Sequence, residues 1–367
     1  MLGGSGMDYC GKNIVTSGFN NKNQSIHKER WVYIAKGLAI LAVMTDHSRN
    51  ILYSNDRIQR LSYFSVSLFI IIMGVTTYWS YNNSRISLRK KVITRLWGIL
   101  LPYFVANFLA YCLFNCSFNW DAYCYYALHF NIAGPYYYVL LYIQLVLISP
   151  VLFIVVKKLE TFSKTKKIVI EILVGLLLIL FARISNDYTD IIGVNAGRLL
   201  GGSYLLCFYG GILVGANSDK IKKIPTIIRK IYGTICIIAM LSMGYALVSL
   251  GYIFDKPRLL GTDINPPGIT LMLYAFTIVL SFCAWSVEVE IYKLFRLLDF
   301  LGKHTLYIFL YHILIMSKLN ILTANWLVWI RVPVYYITMI GVSICIEKIL
   351  AHCKKIIIEG YSYGKEC

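Results

Sequence analysis

Lys36 and His47 stand eleven positions apart, in and just beyond the apolar run 34–43. On a helix, eleven residues make about three turns, so the two side chains share a face roughly 16 Å apart along the axis. Titratable groups in such surroundings are costly, and inside a membrane they mark functional sites. An imidazole that titrates near neutrality can take a proton from a hydroxyl and return it to a leaving group. A lone histidine here reads equally well as a packing residue; a lysine on the same face favours chemistry. Asp46 directly precedes His47, which makes it a lateral neighbour that can orient the ring only through a bend or an adjacent helix.

Two further constellations accompany this pair. Arg89, Lys90 and Lys91, followed by Arg95, precede the run Leu96 to Tyr103, and clustered cations of this kind suit a phosphate-bearing ligand. The first three also serve as a topology anchor, whereas Arg95 lies a turn deeper. Near the end of the chain, Gly302 to His312 carries Tyr307 and Tyr311 four residues apart with His312 next to them, so one helix face holds two phenols beside an imidazole.

The frame that must hold these residues is apolar. Of the 367 residues 58% are hydrophobic and 15% charged, with a mean hydropathy of +0.63, a composition that belongs to a polytopic membrane protein. Ten apolar segments can be read, near 31–53, 61–80, 92–116, 136–156, 168–184, 199–216, 228–250, 268–285, 304–320 and 326–350. The expected fold is an all-α bundle of about ten transmembrane helices, nine to eleven allowing for short segments. One transmembrane domain, 31–352, is flanked by a flexible tail, 1–30, and a second tail, 353–367.

The formal charge of +18 is not a nucleic-acid signal, because its distribution is that of a membrane protein. Segments assigned to the inner side hold 24 of the 36 Lys and Arg, while 117–135 and 186–197 hold none. This asymmetry predicts cytoplasmic termini. Residues 1–30 contain no apolar stretch ahead of a cleavage site, so no cleavable leader is expected. The ten cysteines form no CxxC pair, which argues against metal or redox chemistry. Segment 117–135, with Trp120, Tyr123, Tyr125, Tyr126 and His129, is aromatic and almost uncharged. It suits an interfacial belt resting on the outer rim, with sugar stacking as the lesser reading.

Taken in order, these elements resemble the acyltransferase-3 family of integral membrane proteins, and within it the branch similar to fucose 4-O-acetylase. The likeness rests on a basic residue and a histidine eleven apart in the first span (Lys36, His47), and on basic residues ahead of Leu101-Pro102-Tyr103. It rests also on the late string Gly302, Thr305, Leu306, Ile308, Phe309, Leu310, His312 and on Gly134-Pro135-Tyr136-Tyr137-Tyr138. Two positions depart from the pattern: Tyr33 stands where an Asp is common, and Gly98 where a second Arg is common.

The resemblance covers about residues 30–350 and implies a multi-pass enzyme of the plasma membrane. It would move an acyl group, commonly acetyl, from cytoplasmic acyl-CoA to a hydroxyl of a cell-surface or envelope glycan. On that reading His47 and Lys36 are catalytic; Arg95, Lys91 and Lys90 contact the donor; Asp46, Tyr307, Tyr311 and His312 are accessory. Acetyl-CoA is a co-substrate, no cofactor or metal is permanently bound, and the partners are acyl-CoA, a glycan or lipid-linked sugar acceptor and membrane lipid. Two rival classes explain a buried Lys and His without the ordered motifs: a transporter or flippase for a glycan precursor or small solute, and a non-catalytic assembly partner in envelope synthesis.

Overall fold

The computed structural model describes residues 15–82, 86–115, 117–187, 202–250, 267–286 and 293–363. Among them the regular structure is helical, and an isolated bridge pairs Arg49 with Tyr53. In chain order the helices are α1 (Val15–His47), α2 (Asp56–Ser62), α3 (Phe64–Asn82), α4 (Leu88–Phe114) and α5 (Trp120–His129), then a 3-10 turn at Gly134–Tyr136. There follow α6 (Tyr137–Leu159), α7 (Lys164–Asp187), α8 (Tyr204–Lys223), α9 (Thr226–Leu250) and α10 (Ile269–Ala284). The last three are α11 (Lys293–Lys303), α12 (Thr305–Thr323) and α13 (Val328–Tyr363).

Among the described residues, seven stretches are long and apolar enough to cross a membrane: Asp56–Asn82, Leu88–Phe114, Gly134–Leu159, Lys164–Ser185, Thr226–Ser249, Thr305–Thr323 and Val328–Cys353. The segments read near 31–53, 199–216 and 268–285 correspond to α1, α8 and α10, which fall outside that group. α10 has only 16 residues; α1 carries Arg30, Lys36 and Asp46, and the last two turns of α8 include Asn217-Ser218-Asp219-Lys220. For α1 and α8, position explains the composition. A helix facing lipid must be apolar all round, whereas one enclosed by other helices need not be. In the α7 span 6% of the apolar window is buried and in the α9 span 17%, against 78% for the span ending in α3, so α7 and α9 lie at the periphery.

Among the described residues, two large packed clusters flank α1. In one, Trp31, Leu68, Phe208 and Ile278 join α1 to α3, α8 and α10. In the other, Ile40, Met44, Tyr103, Ile308 and Met339 join α1 to α4, α12 and α13. Glycines allow the closest approaches: a Cβ on Gly74 would overlap the Phe208 carbonyl and one on Gly211 the Ile71 carbonyl, so α3 and α8 meet backbone to backbone. α11 is seated on α1 in the same manner, with Gly37 against the Leu298 carbonyl and Gly302 against that of Tyr33.

α1 begins at Val15 and α13 continues to Tyr363, so helix extends into both segments read as tails. Once a buried span has supplied the nucleus, adding polar residues to its ends costs little per residue. The aromatic segment 117–135 contains α5, whose first turn is capped by Asn119 through its side-chain bond to the Ala122 N–H at 3.0 Å. Its far end turns on Phe130, at φ 54°, and is fixed to the bundle where Tyr103 donates to the Ala127 carbonyl at 2.8 Å and stacks on Phe130 at 4.9 Å.

Candidate active site

The end of α1 is fastened on several sides. Ser48 Oγ donates to the Met44 carbonyl at 2.6 Å and Tyr53 OH to the Thr45 carbonyl at 2.6 Å. Thr45 Oγ1 lies 2.7 Å from Tyr336 OH of α13. The chain then turns through Asn50, at φ 64°, whose N–H donates to the Tyr53 carbonyl at 2.7 Å; asparagine tolerates this left-handed geometry better than most side chains. These bonds take up carbonyls that a helix end leaves open and fix the backbone that carries His47.

His47 meets His312 of α12. Nδ1 of His47 is 2.9 Å from Nε2 of His312, and the ring centres are 5.0 Å apart with an interplanar angle of 30°, so the rings meet edge to edge. Nδ1 of His312 in turn lies 2.7 Å from the Phe309 carbonyl and 3.1 Å from that of Ile308. A carbonyl can only accept, so His312 Nδ1 bears the proton and, with the ring neutral, its Nε2 accepts. His47 Nδ1 must then be the donor. A neutral His47 therefore keeps its Nε2 lone pair unprotonated, which is the state a general base requires.

The surroundings of that lone pair are also acceptors. Oδ2 of Asp46 is 3.9 Å from His47 Nε2, and Oδ1 of Asp46 accepts from Gln59 Nε2 of α2 at 3.0 Å. Gln59 Oε1 is buried with no donor among the described residues. The side chains of His47 and Asp46 are 29% and 26% exposed, so a ligand can reach this end of α1.

Lys36 and Arg95 come together at a cavity of about 310 Å³. Thr76, Gly98, Tyr138 and Phe309 also line it. Arg95 donates through Nη1 to Thr77 Oγ1 and through Nη2 to the Thr76 carbonyl at 3.2 Å, with its guanidinium 5.3 Å from the Tyr81 ring centre. The amino group of Lys36 lies 5.5 Å from the ring of Tyr33, which also receives Lys303 at 5.8 Å. A Cβ at Gly98 would meet nothing within 4 Å, so the departure from a second arginine leaves open space. The cavity extends to Phe309, whose carbonyl holds His312 and whose ring is 6.0 Å from the His312 ring. His47 does not itself line the cavity; Phe309 and Tyr138, 5.0 Å apart, stand at the boundary.

Lys91 and Lys90 lie elsewhere. Lys91 is buried and its Nζ donates to the carbonyls of Ser80 and Tyr81 at 2.7 and 3.3 Å, closing the last turn of α3. Lys90 is exposed and lies in the first turn of α4, where its backbone N–H meets Ser87 Oγ. Tyr307 and Tyr311 stack on each other at 6.5 Å and 13°. Spacing alone did not single out three features of this site: the pairing of His312 with His47, the Asp46–Gln59 bond, and the Tyr136 hydroxyl that donates to the Leu310 carbonyl at 2.8 Å. The late string did place His312 within the same set of motifs, and that was the available signal.

The helices and this site define a polytopic membrane protein with a paired histidine beside a cation-lined cavity. A family model described as an acyltransferase domain, of the acyltransferase-3 type, matches residues 29–348. The chain belongs to that family and is a membrane acyltransferase. No curated protein and no solved structure matches it.

Proposed function

We propose that this protein transfers an acetyl group from acetyl-CoA on the cytoplasmic side of the plasma membrane to a hydroxyl of a cell-surface or envelope glycan, with His47 as the general base. The observation that carries this reading is the hydrogen-bond chain from the Phe309 carbonyl through His312 to His47, which leaves Nε2 of His47 unprotonated.

Lys36 and Arg95 supply positive charge for the donor at their cavity, where a desolvated cation attracts phosphate or a developing oxyanion strongly. A slender pantetheine arm, on the order of 15–20 Å long, matches the Lys36–His47 separation estimated from helix rise. At the other end His47 Nε2, Asp46 Oδ2 and Gln59 Oε1 are all acceptors, which suits a ligand that brings several hydroxyl donors, as a sugar does.

In the proposed step the acceptor hydroxyl gives its proton to His47 Nε2 while its oxygen bonds to the thioester carbonyl carbon. The C–S bond then breaks, and the departing thiolate takes the proton back from the imidazolium. Asp46, 3.9 Å away, stabilises the transient positive charge on the ring. With both termini and the basic segments inside, the donor arrives from the cytoplasm and the acceptor from outside.

The test is the mass of cell-surface glycan from cells with the protein, without it and with His47→Ala. The parent adds one acyl mass and the variant none, at equal membrane insertion. An unchanged glycan in all three, or full acylation by the variant, refutes the assignment.

A further inference from the structure

Beyond the histidine pair along α12, the bundle holds a cation that the transfer chemistry does not use. Arg331, one turn inside α13, is 8% exposed, and between Asp299 and Glu347 the chain contains no acidic residue. Its guanidinium has only neutral partners among the described residues. Nη2 donates to Asn320 Oδ1 at 2.9 Å and to Tyr335 OH at 3.2 Å, and the group lies 5.5 Å from the Tyr335 ring. Nε is buried without an acceptor. Enclosing a permanent cation without a counter-ion is expensive, and inside a membrane protein such a group is normally kept for a ligand. Asn320 is exposed, so the site opens at its edge. Asn320 lies eight residues beyond His312 on α12, placing the guanidinium roughly 12 Å further along that helix than the histidine pair.

We infer that Arg331 and Asn320 form an oxyanion subsite for a phosphate or carboxylate group. The ligand is either an anionic group on the acceptor, held while a hydroxyl elsewhere on the same molecule reaches His47, or a phospholipid headgroup. The first source rests on the transfer reading above; the subsite itself does not.

The test is a melting curve of the full chain in neutral maltoside micelles. The probes are glucose 1-phosphate against glucose, galacturonate against galactose, and phosphatidylglycerol against diacylglycerol. An anionic probe raises the melting temperature of the parent where its neutral counterpart does not. R331Q loses that response, and R331K keeps part of it because a point charge replaces a two-pronged donor. N320D provides a variant that does not remove the buried cation: its carboxylate supplies the missing counter-ion, so it melts higher than the parent without any probe and no longer responds to anions. Response to the sugar anions assigns the acceptor as the source, and response to phosphatidylglycerol alone assigns lipid. The inference is overturned if no anionic probe stabilises the parent beyond its neutral counterpart, or if R331Q and N320D respond as the parent does. Either result leaves the His47 glycan assay unaffected, so the two readings fail separately.

Discussion

Replacing His312 separates a positioning role from mere packing. His312 Nε2 accepts from His47 Nδ1 at 2.9 Å, and its own Nδ1 donates to the Phe309 carbonyl at 2.7 Å. A buried hydrogen bond contributes about 1 kcal/mol net, so in His312→Leu the preference of His47 for its base tautomer weakens by a factor of about five. Loss of the partner that supports the imidazolium adds to this, and general-base effects of this kind span about 10²–10⁴ in rate. The expected fall in kcat for acyl transfer is therefore about 10²-fold or more. Stability should change little, about 1–2 kcal/mol, because the Phe309 and Ile308 carbonyls keep their place in the helix ladder and the new side chain is apolar. His312→Gln offers an amide oxygen towards His47 and an amide N–H towards Phe309, so it should retain most of the rate lost by the leucine variant. The assay is transfer of labelled acetyl under saturating donor, with ¹⁵N chemical shifts of His47 reporting the tautomer. Equal rates in parent and His312→Leu, or equal damage from leucine and glutamine, would refute the reasoning.

Arg95→Gln should raise the donor KM about tenfold or more with a smaller change in kcat, since its guanidinium lines the cavity; steady-state kinetics over a range of acetyl-CoA concentrations decides it. Lys91→Ala should lower the melting temperature without moving the donor KM, because its amino group holds the Ser80 and Tyr81 carbonyls. Gly37→Ala places a Cβ against the Leu298 carbonyl; the expected cost is about 1–3 kcal/mol, read from a melting curve, together with lost activity as α11 is pushed from the Lys36 stretch. Tyr136→Phe removes the bond to the Leu310 carbonyl and should cost about 1 kcal/mol of stability, with a measurable fall in kcat as α12 loosens beside His312.

Much of the architecture was legible because lipid enforces a simple code. The spans seen as α3, α4, α6, α7, α9, α12 and α13 coincide with the segments of sustained apolarity, and Lys36 and Arg95 were found as cations out of place. Helices enclosed by protein are less constrained, so α1 and α8 look weaker in hydropathy than their central position warrants. Partnership between distant segments was harder to read. His47 and His312 are 265 residues apart, and helical periodicity relates residues within one helix only. The same limit applies to Lys91, where a cluster of cations says nothing about which of them turns back to close the preceding helix. The glycines are a further case: Gly302 belongs to the late string, yet its role in admitting the Tyr33 carbonyl emerges only when α11 is set against α1.

The most direct measurement uses proteoliposomes of the full chain with labelled acetyl-CoA sealed on one side of the membrane and a glycan acceptor present only on the other. Label should appear on the acceptor with the parent protein when the donor faces the Lys36 end, and should be absent with His47→Ala. Transfer that requires donor and acceptor on the same side, or that persists without the His47 imidazole, would contradict the proposed path from the cation-lined cavity to the paired histidines.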